Sequence, residues 1–276
     1  MEKKSNVKST VKTILASVAF WGALLNPISG MTAEGGSVCS SITATGNPEY
    51  PPFLWQQEQT GQLRGAVANL MGKLSEKINI PIKTIYVGPW SRSQQEVRSG
   101  RVDLMAGAFY TSERADYMAY FAPAMMFTKS MVWQSSRRKF DYQKWSDLRN
   151  NWGVTVINNS FGQDFDDYAK KNLSLLTVAS LEQAFSMLDA GRADYVLYER
   201  SPGVAYVRHM SLEGLVEAVE PSISSEGLFL TISKLSPCNT PELRRRITVA
   251  LRELVDEGVP QDVLVNALAE WSSKTR

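Results

Sequence analysis

Histidine and cysteine are nearly missing: the 276 residues hold one His and two Cys. With only His209, a histidine-based metal cluster or a Ser-His-Asp triad has little material. Two cysteines cannot build a disulfide-dense scaffold or a zinc ribbon. An excess of one charge is lacking too. Lys+Arg number 30 against 28 Asp+Glu, which excludes a nucleic-acid coat or a polybasic membrane binder. No phosphate-cradling signature occurs: G-x-x-x-x-G-K is absent, and no clear G-x-G-x-x-G is found. The short basic run Arg244 to Arg246 reads as a solvated helix face. No apolar run reaches the roughly 20 residues that span a bilayer.

What is present is a globular chain. At 43% hydrophobic residues it is too apolar to be disordered. Its length suits one large domain or two ordinary ones. The N-terminus has its own character. Lys3, Lys4, Lys8 and Lys12 precede an apolar stretch from Ile14 to Leu25, broken by Asn26 and Pro27. A basic start, a short apolar run and a small-residue exit make a secretory signal peptide, here residues 1–33, with cleavage expected after Ala33. Such a leader carries four Lys and one Glu, so its removal turns the formal net charge from +2 to −1. An exported chain meets an oxidising compartment. There Cys39 and Cys238 can pair and close a long loop, stabilising by roughly 4–5 kcal/mol. Two separate buried thiols are the alternative.

Strand-like and helix-like stretches then alternate. Ser41–Thr45 reads as a strand. Val67, Leu70, Met71, Leu74 and Ile78 keep helical spacing. Pro81–Val87 and Val102–Phe109 read as strands, with a helix between them capped by a Ser91–Gln94 box. Lys129–Ser135, Gly153–Ile157, Leu175–Ala179 and Ala193–Glu199 read as further strands. Helices between them open at Ser160–Gln163 and Ser180–Gln183 boxes. Ser224–Glu226 is expected to interrupt before a strand at Gly227–Ser233. Thr240 and Pro241 open a helix that ends near Gly258. A last amphipathic helix covers about Gln261–Trp271. The alternation predicts an α/β fold with mainly parallel strands, and no internal repeat is evident. Ligands in open α/β sheets bind beyond the carboxyl ends of strands. Tyr50, Trp90, Phe109 to Arg114, Asn158 to Gly162 and Glu199 stand at such places.

The ordered strings carry a resemblance. They are Tyr50 to Phe53 (YPPF), Gly65, Gly100 to Leu104 (GRVDL), Gly107, Thr111 to Arg114 (TSER), Phe121 to Pro123 (FAP), Trp145 to Leu148 (WSDL), Gly153 to Val156 (GVTV) and Gly191 to Asp194 (GRAD) on to Glu199. In this order and spacing the chain resembles the periplasmic solute-binding proteins of amino-acid ABC transporters, bacterial extracellular solute-binding protein family 3. The resemblance implies two α/β lobes with a ligand cleft between them and a hinge crossed twice. Lobe 1 would be residues 38–134 and 225–276, and lobe 2 residues 139–220. The crossings would fall near Ser135–Arg138 and Pro221–Ser225. Hinge closure would trap the ligand, and an inner-membrane ABC permease would receive it.

The resemblance also assigns roles. Arg114 would hold a ligand carboxylate, which suits the paired donors of guanidinium. Glu199, where the family usually has Asp, would face an ammonium group. Ser160 and its turn would bind the carboxylate from lobe 2. Tyr50 and Trp90 would sandwich the ligand. Two positions depart from the family. Phe109 stands where a hydroxyl is common, and Asn69 stands where Asp opens the first helix. Tyr50, Trp90, Phe109, Tyr110 and Phe161 would make an aromatic cleft suited to an aromatic or bulky ligand. The expected protein is a periplasmic monomer without metal, cofactor, nucleic acid or catalytic residues. Two other readings stay open. One is a cyclohexadienyl dehydratase-like enzyme with Glu199 as its acid. The other is a sensory binding protein that reports to a membrane receptor.

Overall fold

In a computed structural model of the chain, residues 39–57 and 59–274 are described. The expected signal peptide lies outside them. The strands and helices, in chain order, are β1 (Ile42–Thr45), β2 (Glu49–Tyr50), β3 (Leu54–Gln56), β4 (Leu63–Arg64), α1 (Ala66–Ile78), β5 (Ile82–Thr84), α2 (Trp90–Arg98), β6 (Leu104–Ala108), α3 (Ser112–Tyr117), β7 (Met118–Tyr120), β8 (Met126–Ser135), β9 (Trp152–Val156), α4 (Gln163–Asn172), β10 (Ser174–Val178), α5 (Leu181–Asp189), β11 (Tyr195–Glu199), α6 (Arg200–His209), β12 (Val216–Ser233), α7 (Pro241–Asp256) and α8 (Val259–Lys274).

Helix α1 forms where the spacing predicts it. Val67, Leu70, Met71, Leu74 and Ile78 are all buried on one face, which is what holds an amphipathic helix on a core. Asn79 ends it in a left-handed conformation, with φ 48°. Thr240 caps α7 by accepting from Leu243 N, with Pro241 in the first turn. Ser180 caps α5 in the same way, accepting from Gln183 N. The other two expected boxes do not form. Helix α2 starts at Trp90 behind Pro89, and α4 starts at Gln163 behind Gly162, neither with a side-chain cap.

The strands form two α/β lobes joined by a shared pair. The sheet order is β10-β9-β11-β8-β12-β6-β1-β5, with β7 also on β12. At one end β5, β1 and β6 run parallel; at the other, β10, β9 and β11 do. Strands β8 and β12 are antiparallel to each other, β8 also to β11 and β12 also to β6. The sheet is therefore mixed rather than mainly parallel. The interruption expected at Ser224–Glu226 is absent. Strand β12 runs on, and its register against β8 shifts between Val219 and Ser224. Pro221 sits in that gap and has no N–H to give a ladder.

Strand β8 pairs with β11 of lobe 2 from Ser130 to Trp133, and Ser135 pairs with Val216. Ser135–Arg138 therefore lies at the far end of lobe 2. The earlier stretch of β8, Met126–Ser130, pairs with Ser224–Leu228 of β12.

One small motif occurs in both lobes. After α2, Gly100 (φ 74°) leads to Asp103, whose Oδ2 accepts from Thr43 N at 2.8 Å. After α5, Gly191 (φ 69°) leads to Asp194, whose Oδ2 accepts from Trp152 N at 2.8 Å. Each carboxylate thus ties the end of a helix to the start of a parallel neighbour strand. Asp103 also accepts from Ser236 Oγ at 2.6 Å. Two residues on, Cys238 is joined to Cys39 by a disulfide, with their Cα atoms 5.5 Å apart.

Candidate functional site

The carboxyl ends of β2, β6 and β11, the start of α2 and the first turn of α3 face one another. Tyr50, Trp90, Phe109, Arg114 and Glu199, with Asn47, Gly107, Asn159 and Leu228, line a cavity of about 20 Å³. That is scarcely more than one water needs. The lobes meet around it. Asn47 Nδ2 donates to Tyr198 Oη at 3.2 Å, and Ser112 N and Oγ both donate to Gln163 Oε1 at 2.9 Å. Outside this contact a chamber of about 580 Å³ opens, lined by polar residues of both lobes. Arg114 and Asn159 border both spaces.

Arg114 is only 5% exposed. Thr111, the N-cap of α3, accepts from its backbone N–H and fixes the turn. Its Nη1 donates to Phe109 O at 3.2 Å and its Nη2 to Asn158 O at 3.0 Å. Trp90 lies beside it, the guanidinium carbon 5.4 Å from the ring centroid. Trp90 also gives its Nε1–H to Asn158 O at 3.1 Å, and Gln94 gives Nε2–H to the same oxygen at 3.3 Å. Gln94 was not among the expected site residues. It lies one turn beyond Trp90 on α2, and the sequence reads it as a capping residue. The only signal was its placement four residues after Trp90, which puts both on one helix face.

Glu199 ends β11 and is 1% exposed. Burial pushes its pKa up to about 8, against lesser opposing effects from its own backbone N–H, Asn159 and Arg114. Its Oε2 has no hydrogen-bond partner of normal geometry, and neither has the facing Asn159 Nδ2. Among the described residues no cation forms an ion pair with it. Burial thus disfavours the anion that an ammonium partner would need. Tyr50 is equally enclosed. Burial raises its phenol well above the usual value, the nearby Glu199 adds to this, and its Oη lacks a partner of normal geometry. Its ring stacks on Phe53 at 5.1 Å.

Other expected residues are placed differently. Ser160 borders the outer chamber and not the inner cavity. Its hydroxyl donates to Asp166 Oδ2, and Phe161 N donates to Asp166 Oδ1 at 2.9 Å. A carboxylate of α4 thus takes the donors of the turn. Phe161 turns into the lobe 2 core, its ring 5.7 Å from Phe165. Tyr110 is 52% exposed and leans on Tyr120. The aromatic lining is therefore Tyr50, Trp90 and Phe109 alone.

The model of the bacterial extracellular solute-binding proteins, family 3, matches residues 42–264. The chain belongs to that family. Solved structures share the fold. A histidine kinase sensor domain with similarity to periplasmic binding proteins matches at TM-score 0.69 and 20% identity, over 84% of this chain and 96% of its own. An ancestral arginine-binding protein bound to arginine matches at 0.67 and 20%, over 83% and 98%. The substrate-binding protein of an amino acid ABC transporter matches at 0.64 and 17%, over 81% and 97%. No curated protein sequence matches. Among the described residues of this family 3 protein, no cluster of His, Cys, Asp or Glu is arranged to hold a metal ion, and no helix is long and apolar enough to cross a membrane.

Proposed function

We propose that this family 3 protein is an exported, monomeric periplasmic receptor that captures a small amino-acid-like or carboxylate-bearing ligand. Closure about the β8–β12 hinge traps the ligand, and the closed form docks to an ABC permease. The observation that carries this reading is the meeting of Arg114 on one lobe and Glu199 on the other at a single aromatic-lined cavity. Arg114 supplies charge-assisted donors for a carboxylate. Glu199 supplies a buried oxygen that lacks a partner, which a ligand donor satisfies. Tyr50 and Trp90 supply apolar faces. The arginine-bound and amino-acid-transporter relatives of the same fold agree with this chemistry. Within the described residues we take lobe 1 as 39–127 and 227–274, with lobe 2 between them. A thermal-shift screen of amino acids, polyamines and small organic acids tests the reading. Carboxylate-bearing amines should raise the melting temperature by mass action. Stabilisation by uncharged sugars alone would overturn it.

An enzyme on the same scaffold is the second reading, and protonated Glu199 favours it. A carboxylic acid with its pKa pushed up to about 8 beside three aromatic rings is suited to protonating a leaving group on a ring-shaped acid. Incubation with prephenate or arogenate should yield an aromatic product if this holds. No ultraviolet change over hours would remove the reading.

A further inference from the structure

Three side chains of lobe 1 give hydrogen bonds to one backbone oxygen of lobe 2. Arg114 Nη2, Trp90 Nε1 and Gln94 Nε2 lie 3.0, 3.1 and 3.3 Å from Asn158 O. The acceptor is poorly matched to them. A carbonyl oxygen is neutral and has two lone pairs. Here it faces three donors, one of them a full cation. Among the described residues no carboxylate lies within ion-pair distance of Arg114. Trp90, Gln94 and Arg114 are each under 9% exposed, so an imperfect match of donors to acceptor there is costly. The acceptor is also held in an uncommon backbone state, because Asn158 has φ 60°.

A carboxylate corrects each mismatch. It brings a negative charge, two oxygens and about four lone-pair sites. It bonds to charged donors more strongly than a carbonyl does. The donors come from rigid places, since Trp90 and Gln94 sit one turn apart on α2 and Arg114 is fixed by the Thr111 cap. Asn158 belongs to the other lobe. Separation of the lobes withdraws its oxygen and leaves the three donors together on lobe 1, facing the polar outer chamber.

We propose that Trp90, Gln94 and Arg114 form one oxyanion receptor, with Gln94 a specificity-determining residue, and that a ligand carboxylate takes the place held by the Asn158 carbonyl when the cleft is loaded. The proposal rests on the cleft being the ligand site. It adds that lobe 1 binds the carboxylate first, and that the Trp90 N–H matters as well as its ring.

The test uses probe pairs that differ by the carboxylate alone: L-arginine with agmatine, and L-phenylalanine with phenethylamine. Affinities are measured by calorimetry on the full mature chain. The wild type should prefer the carboxylate member of a pair. Gln94→Leu should weaken that member roughly tenfold, with no comparable effect on the amine. Gln94→Glu should weaken it further through like-charge repulsion. Trp90→Phe keeps an aromatic face and removes the N–H, and should also weaken the carboxylate member. Circular dichroism melts show whether each variant folds. If the wild type prefers the carboxylate and folded Gln94→Leu, Gln94→Glu and Trp90→Phe bind it equally well, the receptor is wrong and the cleft reading stands. If the wild type responds to no probe, or only to the amines, both fall.

Discussion

Glu199 would titrate near 4.5 in an unfolded chain and near 8 in the folded one, chiefly because burial disfavours its anion. Over that window the folded state keeps a proton that the unfolded state has released. Folding stability therefore falls as pH rises through it, by about 1.4 kcal/mol per pH unit for one such group. Glu49, Asp166 and Glu226 are also raised by burial and act in the same direction. Glu199→Gln keeps the shape and removes the proton equilibrium. Its melting temperature should match the wild type near pH 4 and exceed it near pH 8. Parallel melting curves across that range would mean that Glu199 does not titrate as buried. Arg114 makes the opposite kind of prediction. It is a buried cation whose side-chain hydrogen bonds among the described residues go to carbonyls, with the Trp90 ring beside it. Arg114→Ala should cost a carboxylate ligand about a hundredfold in affinity. Unchanged binding in calorimetry would place the carboxylate elsewhere. The candidacy of both residues was legible because each follows a strand-like stretch. Their state was not, because burial is set by the other lobe.

Among the elements, helices were the most readable. The stripes of α1 and α7 and the caps of α5 and α7 follow directly from residue spacing. The Ser160–Gln163 pair failed as a cap because Asp166, further along α4, takes the hydroxyl of Ser160 and the N–H of Phe161. The Ser91–Gln94 pair failed because α2 begins at Trp90, and Gln94 points to Asn158 instead. The Gly-Arg-x-Asp turn in both lobes is a repeat of geometry rather than of sequence length, too short to register as an internal duplication. Asp103→Ala would strand the Thr43 N–H and the Ser236 hydroxyl, and should cost about 1–3 kcal/mol in urea unfolding. Helix α6 offers a second test. A Cβ at Gly203 would lie 2.1 Å from the Trp133 ring, and that ring is held by its Nε1–H bond to Tyr198 O. Gly203→Ala should therefore destabilise by about 1–3 kcal/mol. A neutral effect would mean that α6 can shift off β8 freely.

At the scale of the molecule, stability and function are set in different places. The Cys39–Cys238 disulfide spans 199 positions of sequence. Loop-closure entropy assigns such a link about 5 kcal/mol. It lies within lobe 1, away from the residues that line the cavity. Reduction should lower the urea midpoint by a corresponding amount and leave ligand affinity unchanged below the transition. A midpoint insensitive to dithiothreitol would rule the link out. The hinge is the other large-scale feature. On the proposed division, β8 and β12 are the strands among the described residues that carry the sheet from one lobe to the other. A change in lobe angle therefore needs to bend only the Met126–Ser130 and Ser224–Leu228 stretches.

Patterning by itself determined the α/β class, the longer strands and helices but not β2–β4, α3, β7 or α6, and a short list of residues beyond strand ends. Those follow from side-chain period and from where apolar residues must be buried. Tertiary structure alone decided that Phe161 and Tyr110 leave the cleft, that burial raises the pKa of Glu199, that β12 runs on through Ser224–Glu226, and that Gln94 joins Trp90 and Arg114 on one oxygen. Each depends on packing against another element of the fold: α4 for Phe161, β7 for Tyr110, β8 for β12, and the opposite lobe for Glu199 and Gln94. Local sequence carries no record of which distant group removes the water or supplies the acceptor.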